Sequence, residues 1–368
     1  MAATTKPHSN VLPNLDALRF FAFLGVMLAH AFDSIRPKEP SETLREFYEA
    51  MDYGVIGVNF FFVLSGFLIT RILLDDFEVA GRLRAGRFYV RRILRIWPLY
   101  FFMLLLAQVY YHVLHVTDTN THWWYFFLFL GNYHVIFEGY PATSALGHLW
   151  SIAVEEQFYF VWPLLLCICR KRPVVLCVAV IVVSLLFRYW AVVTHHAHFQ
   201  LYFNSLSVMN DIAIGALLAC LTQRLNANSV SVSTTKVAIG FVLLLVVAYV
   251  FEVMPLARPL VPWSRLMLSL LFVGLVFHQV FVKNRVVNVE AIPGIGYLGK
   301  ISYGLYIYHA FTALGTRYLF DKLSVSPLGW HGVTIYPLAV LAVTVVVSAL
   351  SYELVEKRIL RLKSVLAR

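Results

Sequence analysis

Apolar residues run along this chain in long blocks separated by short polar stretches. They show neither the strict alternation of a strand nor the half-polar face of a surface helix. A helix needs about 20 mostly apolar residues to cross the hydrocarbon layer of a bilayer. Blocks of that length fall at 14–33, 53–74, 96–116, 148–169, 173–194, 204–223, 236–254, 263–282, 299–318 and 334–355. A further apolar segment, Trp123 to Tyr140, is short and interrupted by Gly131, Asn132 and Gly139. The pattern predicts an all-α integral membrane protein of about ten transmembrane helices in one bundle, with a short re-entrant or interfacial segment near 123–140.

Composition agrees. Of 368 residues, 60% are apolar or aromatic and 14% are charged, against about 25% charged in soluble domains. That excludes a chain of soluble domains, a peripheral anchor and a disordered protein. No repeat, linker or soluble block interrupts the pattern, so residues 1–368 read as a single transmembrane domain with no appended soluble domain. Cys167, Cys169, Cys177 and Cys220 lie in apolar runs without CxxC spacing. They read as small buried hydrophobes, with no metal site and no disulfide scaffold. The run Phe20–Phe32 ends near Ala29-His30-Ala31 and imitates a signal peptide. Only Lys6 is basic before Asp16, and Arg19 abuts the run, so retention is expected.

The net charge of +10 is best explained by cytoplasmic loops. With 123–140 not counted as a span, the inner segments hold Lys6, the seven arginines from Arg71 to Arg95, and Arg170, Lys171 and Arg172. They also hold Arg224, Lys236, Lys283, Arg285 and the five basic residues from Lys357 to Arg368, making twenty of the 30 Lys and Arg. Both termini are therefore expected in the cytoplasm, with the protein multi-pass in the plasma (inner) membrane. Outside the spans no face combines basic and aromatic residues, so no nucleic-acid partner is expected. The loop 33–52 is acidic and expected outside, as a short amphipathic helix over the site.

Ionisable residues inside spans cost about 2.5–3.5 kcal/mol each on insertion scales and so invite a functional question. Arg19 and His30 are three turns apart on one face of the first span, Arg19 towards the inner end and His30 towards the outer. The segment His148–Tyr159 carries Ser151, Glu155 and Glu156. Ser151 and Glu155 share a helix face, and Glu156 points about 100° away. Either an acidic helix start or a pair of functional carboxylates explains them, one of which could orient an imidazole. Arg92 and Arg95 stand at i, i+3 in an arginine block, 87–98, that contains no lysine. Topology explains the charge, and bidentate phosphate recognition explains the choice of arginine. Tyr303, Tyr306 and His309 form a polar stripe on the ninth span, through packing or function. Together these residues suit transfer chemistry, with an anionic donor inside and an acceptor near the outer face.

The same stretches resemble the acyltransferase 3 family of integral-membrane O-acyltransferases. The resemblance is carried by Leu15-Asp16-Ala17-Leu18-Arg19 leading to His30, and by the run Gly57–Ile69. The arginine block 87–98, His148–Tyr159, Ile301–His309 and Tyr352–Glu356 follow in family order. It implies acyl transfer, usually of acetyl from acetyl-CoA, to a hydroxyl of an extracytoplasmic or lipid-linked carbohydrate or glycolipid. It also implies that His30 is the essential histidine of the first helix, that Arg19 is its arginine, and that Arg92 with Arg95 is the R-x-x-R motif. Two positions depart from the family: Asn59 stands where many members carry Asp, and Arg358 replaces the usual Pro after the final Glu-x-x-Glu-Lys. Peptidoglycan-acylating relatives add an extracytoplasmic hydrolase-like domain, which is not expected here.

On this reading His30 is general base or transient acyl carrier, and Glu155 or Glu156 orients its ring. Arg92 and Arg95 hold the CoA phosphates and Arg19 lines the route. Asn59, Ser151, Tyr303 and His309 contact substrate. Ser65 and Ser151 show no His-Asp partnership, so a serine nucleophile is not expected. The rival class is a transporter or flippase of a lipid-linked sugar, with the arginines on a pyrophosphate and His30 as a proton relay.

Overall fold

The computed structural model describes all residues except 1–11, 13, 82, 114, 116–119, 142–143, 195–196, 253–257, 286, 326–328 and 363–368. Lys6, Arg82, Lys363 and Arg368, and the end of the expected span 236–254, lie outside the described residues. The chain folds as helices α1 (Leu15–Ser34), α2 (Glu42–Asp52), α3 (Ile56–Ala80), α4 (Ala85–Val113), α5 (Trp123–Phe127), α6 (Gly131–Glu138), α7 (Ser144–Gly147), α8 (Leu149–Ile168) and α9 (Pro173–Val193). These are followed by α10 (Ala197–Phe203), α11 (Ser205–Leu221), α12 (Thr234–Glu252), α13 (Ser264–Phe281), α14 (Ile295–Lys300), α15 (Ser302–Lys322), α16 (Gly329–Ser351) and α17 (Lys357–Arg361). Among the described residues the only extended pairing is one bridge between Val230 and Val282.

Among the described residues eight helices are long and apolar enough to cross a membrane, so the protein is a multi-pass helical membrane protein. The expected count of ten is not reached by that measure. The two expected spans left over correspond to α12 and α15. In α15 the reason is visible: Ser302, Tyr306, Tyr308, His309, Thr312 and Thr316 are all buried in the bundle. Some bond neighbouring helices there, with Thr312 Oγ1 2.6 Å from Thr344 Oγ1 and the Tyr308 hydroxyl 3.0 Å from Ser351 Oγ, both on α16. Hydropathy falls because the helix faces polar partners.

The segment 123–140 is broken into α5 and α6, of five and eight residues. Eight residues rise about 12 Å, far short of the ~30 Å hydrocarbon layer. Its polar break is docked inward. Asn132 donates to the Phe203 carbonyl at 3.1 Å and to Ser205 Oγ at 3.0 Å, and accepts from Gln157 at 2.9 Å.

Close backbone contact holds the centre. A Cβ at Gly66 on α3 would overlap the Ile212 carbonyl of α11, and one at Gly215 on α11 would overlap the Val63 carbonyl of α3. Each helix thus offers a glycine where the other presents a carbonyl, as small residues do between membrane helices. α11 is also tied to α13 by a buried ion pair, Asp211 Oδ2 to Arg265 Nη2 at 2.7 Å, with Ser269 donating to Asp211 Oδ1 at 2.6 Å.

The acidic loop does form a helix, α2. Phe47 and Tyr48 pack edge-on against Phe32, near the His30 end of α1. Of the four cysteines only Cys177 is buried, and Cys167 is exposed. The expectation of four buried cysteines fails because several apolar runs also supply the outward faces of their helices, where Phe160, Leu164 and Ile168 are exposed as well.

Candidate active site

Five helices enclose a cavity of about 610 Å³, including its open mouth, and all but α1, which gives one residue, contribute at helical spacing. Arg19 enters from α1 and Arg92 with Arg95 from α4. From α8 come Ser151, Glu155 and Tyr159, each one turn from the next. Ser302, Tyr303 and Tyr306 of α15 also line it, and α3 supplies Phe61, Phe62 and Ser65. Tyr303 anchors α15 to α4 by donating to the Ile96 carbonyl at 2.9 Å.

Glu155 is fully engaged. Its Oε1 accepts from Ser65 Oγ at 2.6 Å and its Oε2 from the Tyr159 hydroxyl at 2.9 Å. The Tyr159 oxygen also stands 3.0 Å from Ser65 Oγ, which closes a three-membered polar ring. The Arg92 guanidinium lies over the rings of Tyr159 and Phe88, at 5.3 and 5.6 Å from their centroids. Arg19 bonds Asp16 at 3.2 Å. Arg92 and Arg95 donate no hydrogen bond to any described residue, although both face the cavity. Two planar donors are therefore left for an anion that enters it.

Glu156 does not line this cavity and instead accepts from Trp97 Nε1 at 2.8 Å, in keeping with the 100° offset between the two glutamates. Asn59 is buried on α3 outside the lining.

His30 also lies outside the lining, and its partner differs from the expected one. Neither glutamate bonds it. Glu155 sits further along α8, held by Ser65 and Tyr159, and Glu156 is held by Trp97. What reaches His30 is His309 of α15, with His30 Nδ1 2.8 Å from His309 Nε2. Expected to contact substrate, His309 bonds protein on both ring nitrogens, the second facing the Tyr306 carbonyl at 2.6 Å. His148, at the start of α8, packs edge-on against His309 with centroids 4.8 Å apart. Among the described residues no group of three His, Cys, Asp or Glu side chains could hold a metal ion. Tyr306 connects cluster and cavity. Its ring lines the cavity, its hydroxyl is 2.6 Å from Ser151 Oγ, and its carbonyl faces His309.

The cavity therefore brings together Arg19, Arg92, Arg95, Ser151, Glu155 and Tyr303 from four separate stretches of sequence. It leaves His30, His309, Asn59 and Glu156 around it. Sequence reasoning did not assign Ser65, Tyr159 or Tyr306 to the site. The available signal was a hydroxyl one turn from an intramembrane glutamate, at Tyr159, and a hydroxyl inside an aromatic run, at Ser65.

Comparison with known proteins decides the family. Residues 12–352 match the profile of the acyltransferase domain of the acyltransferase 3 type. The chain belongs to this family. Among curated acyltransferase relatives, the peptidoglycan O-acetyltransferase OatA of Listeria monocytogenes is 25% identical over 84% of this chain and 50% of its own length. The putative peptidoglycan O-acetyltransferase YrhL of Bacillus subtilis is 28% identical over 96% of this chain and 55% of its own. A putative O-acetyltransferase of Staphylococcus aureus is 24% identical over 81% of this chain and 50% of its own. The chain thus spans about half the length of the curated acyltransferases it matches. No solved structure matches it.

Proposed function

We propose that this protein is a membrane O-acyltransferase that moves an acyl group, acetyl in the first instance, from acyl-CoA to a hydroxyl of an extracytoplasmic or lipid-linked carbohydrate. The observation that carries the reading is the pair of guanidinium groups, Arg92 and Arg95, that face one cavity with Arg19 and have no hydrogen-bond partner among the described residues. A nucleotide phosphate-bearing donor is the ligand such planar donors suit. The family, and relatives named as O-acetyltransferases, support the same class.

In this mechanism Arg92 and Arg95 hold the donor phosphates, with the arginine end of the molecule in the cytoplasm. Arg19 lines the route along α1 between that end and His30. The thioester is presented past Tyr306 and Ser151. His30 accepts the proton of the acceptor hydroxyl while its oxygen bonds the thioester carbon. The carbon–sulfur bond then breaks and the thiolate leaves, to be protonated from His30 or water. Glu155 holds Ser65 and Tyr159 in place and balances the arginine charge. The acceptor is a cell-envelope glycan, with peptidoglycan the first to try, since that polymer appears in the names of two relatives.

The test is acyl-CoA-dependent release of free thiol by purified protein in lipid nanodiscs, with glycan acceptors supplied. Acceptor-dependent thiol release, lost in His30→Ala, is expected. Movement of an unmodified lipid-linked sugar across vesicles without thiol release would replace the transferase with a flippase.

A further inference from the structure

The proposed function uses one imidazole of a cluster of three. Its hydrogen bonds define a direction. The Tyr306 carbonyl can only accept, so the 2.6 Å contact requires a proton on His309 Nδ1. A neutral His309 then has a bare lone pair on Nε2. Facing that lone pair at 2.8 Å is His30 Nδ1, which must donate. The remaining nitrogen of His30, Nε2, is left without a proton.

Ring geometry agrees with a true hydrogen bond. The His30 and His309 planes differ by 9° and their centroids are 5.1 Å apart. That separation exceeds the 2.8 Å between nitrogens by about a full ring diameter, so the rings meet edge to edge in one plane and are not face to face. An imidazole lone pair points in that direction. No carboxylate bonds either ring among the described residues, and with His309 buried and His30 half-buried this favours a neutral pair.

We infer that His309 is the positioning residue of the reaction: it fixes the tautomer of His30 so that Nε2 is the proton acceptor. The inference rests on the reading of His30 as general base. It extends that reading by assigning the orienting role to an imidazole on α15 in place of a glutamate on α8. In the transfer step the acceptor proton moves to His30 Nε2. The Nδ1–H bond to His309 is kept and strengthens as the His30 ring becomes charged, while His309 itself neither gains nor loses a proton. The Tyr306 carbonyl holds the end of the chain, so the residue that lines the donor cavity also sets the orientation of the base.

The experiment compares His309→Leu, His309→Gln and His30→Ala in the thiol-release assay, with melting temperature and the KM for acyl-CoA measured for each. A leucine cannot accept from His30 Nδ1, whereas a glutamine amide oxygen can. For His309→Leu, kcat should fall by roughly tenfold or more with KM unchanged, since general-base catalysis contributes about 100-fold or more. His309→Gln should recover most of that loss. Wild-type kcat in His309→Leu, or equal loss in both variants at unchanged KM and melting temperature, would overturn the role of His309 while leaving His30 as base. Full activity in His30→Ala would overturn the reading of His30 and this inference with it. A second measurement needs no folded variant: solid-state NMR of isotope-labelled imidazole nitrogens in the wild-type protein. Protons on Nδ1 of both His30 and His309 are expected, and an Nε2–H on either ring refutes the assignment.

Discussion

Arg92 and Arg95 differ from the other charged groups of the cavity in having no hydrogen-bond partner among the described residues, while Glu155 in the same lining already holds two hydroxyls. That contrast predicts different outcomes for conservative changes. Arg92→Lys keeps the charge but loses the planar fork and the broad contact with Tyr159. The KM for acyl-CoA should rise by roughly tenfold, about 1.4 kcal/mol, with protein yield unchanged; an unaltered KM would assign the arginine to topology alone. Ser65→Ala removes one of the two donors to Glu155, and a hydrogen bond to a charged group is worth about 1.5–3 kcal/mol. A lower melting temperature with unchanged acyl-CoA KM is expected. Residues whose burial is costly were legible in the sequence: Arg19, Arg92, Arg95 and Glu155 stand out because the bilayer disfavours them. Ser65 and Tyr159 were not, since hydroxyls are common in membrane helices and become informative only beside a carboxylate. The pairing of His30 with His309, 279 positions apart, has no local signal at all.

At the scale of elements, the spans were legible from hydropathy and the interruption at 123–140 from its Gly and Asn, because both depend on composition within a window. Which helices touch was not. The contact between α3 and α11 depends on Gly66 and Gly215 each meeting a carbonyl, and neither glycine differs in sequence from one that meets nothing, such as Gly240. Gly215→Leu should therefore separate the two helices, at a cost of about 1–3 kcal/mol or more from overpacking, seen as a lower melting temperature in detergent. Gly240→Leu should leave it unchanged. The Asp211–Arg265 pair between α11 and α13 behaves differently. Removing one partner strands a buried charge, so Asp211→Ala should cost about 3–5 kcal/mol. Changing Asp211→Leu together with Arg265→Met should recover most of that. If the double variant is no better than the single one, the pair has a role beyond joining the helices.

Across the whole molecule, hydrogen bonds sort the loops into two ends. Asn14, at the Arg19 end of α1, bonds the Gln279 carbonyl and the Glu290 carboxylate. Asn228 and Val230 bond the carbonyls of Val280 and Phe281, so the 222–233 loop belongs to the same end. Arg71 joins it there through the Thr222 carbonyl at 2.8 Å. At the opposite end α2 packs on Phe32, and Arg36 closes its loop onto Asp52 at 2.6 Å. One end therefore gathers the arginines and the other the acidic helix, the asymmetry that loops on the two sides of a membrane carry. With Cys167 changed to Ala to remove the exposed natural thiol, Glu46→Cys and Ser229→Cys test the assignment, both positions being exposed. A membrane-impermeant thiol reagent added to intact cells should label Glu46→Cys and leave Ser229→Cys unlabelled until the membrane is opened. The reverse pattern would put the arginine cavity outside, away from cytoplasmic acyl-CoA, and the proposed donor would fail with it. Labelling of both positions from outside would contradict the fold itself, since the bundle sets them at opposite ends.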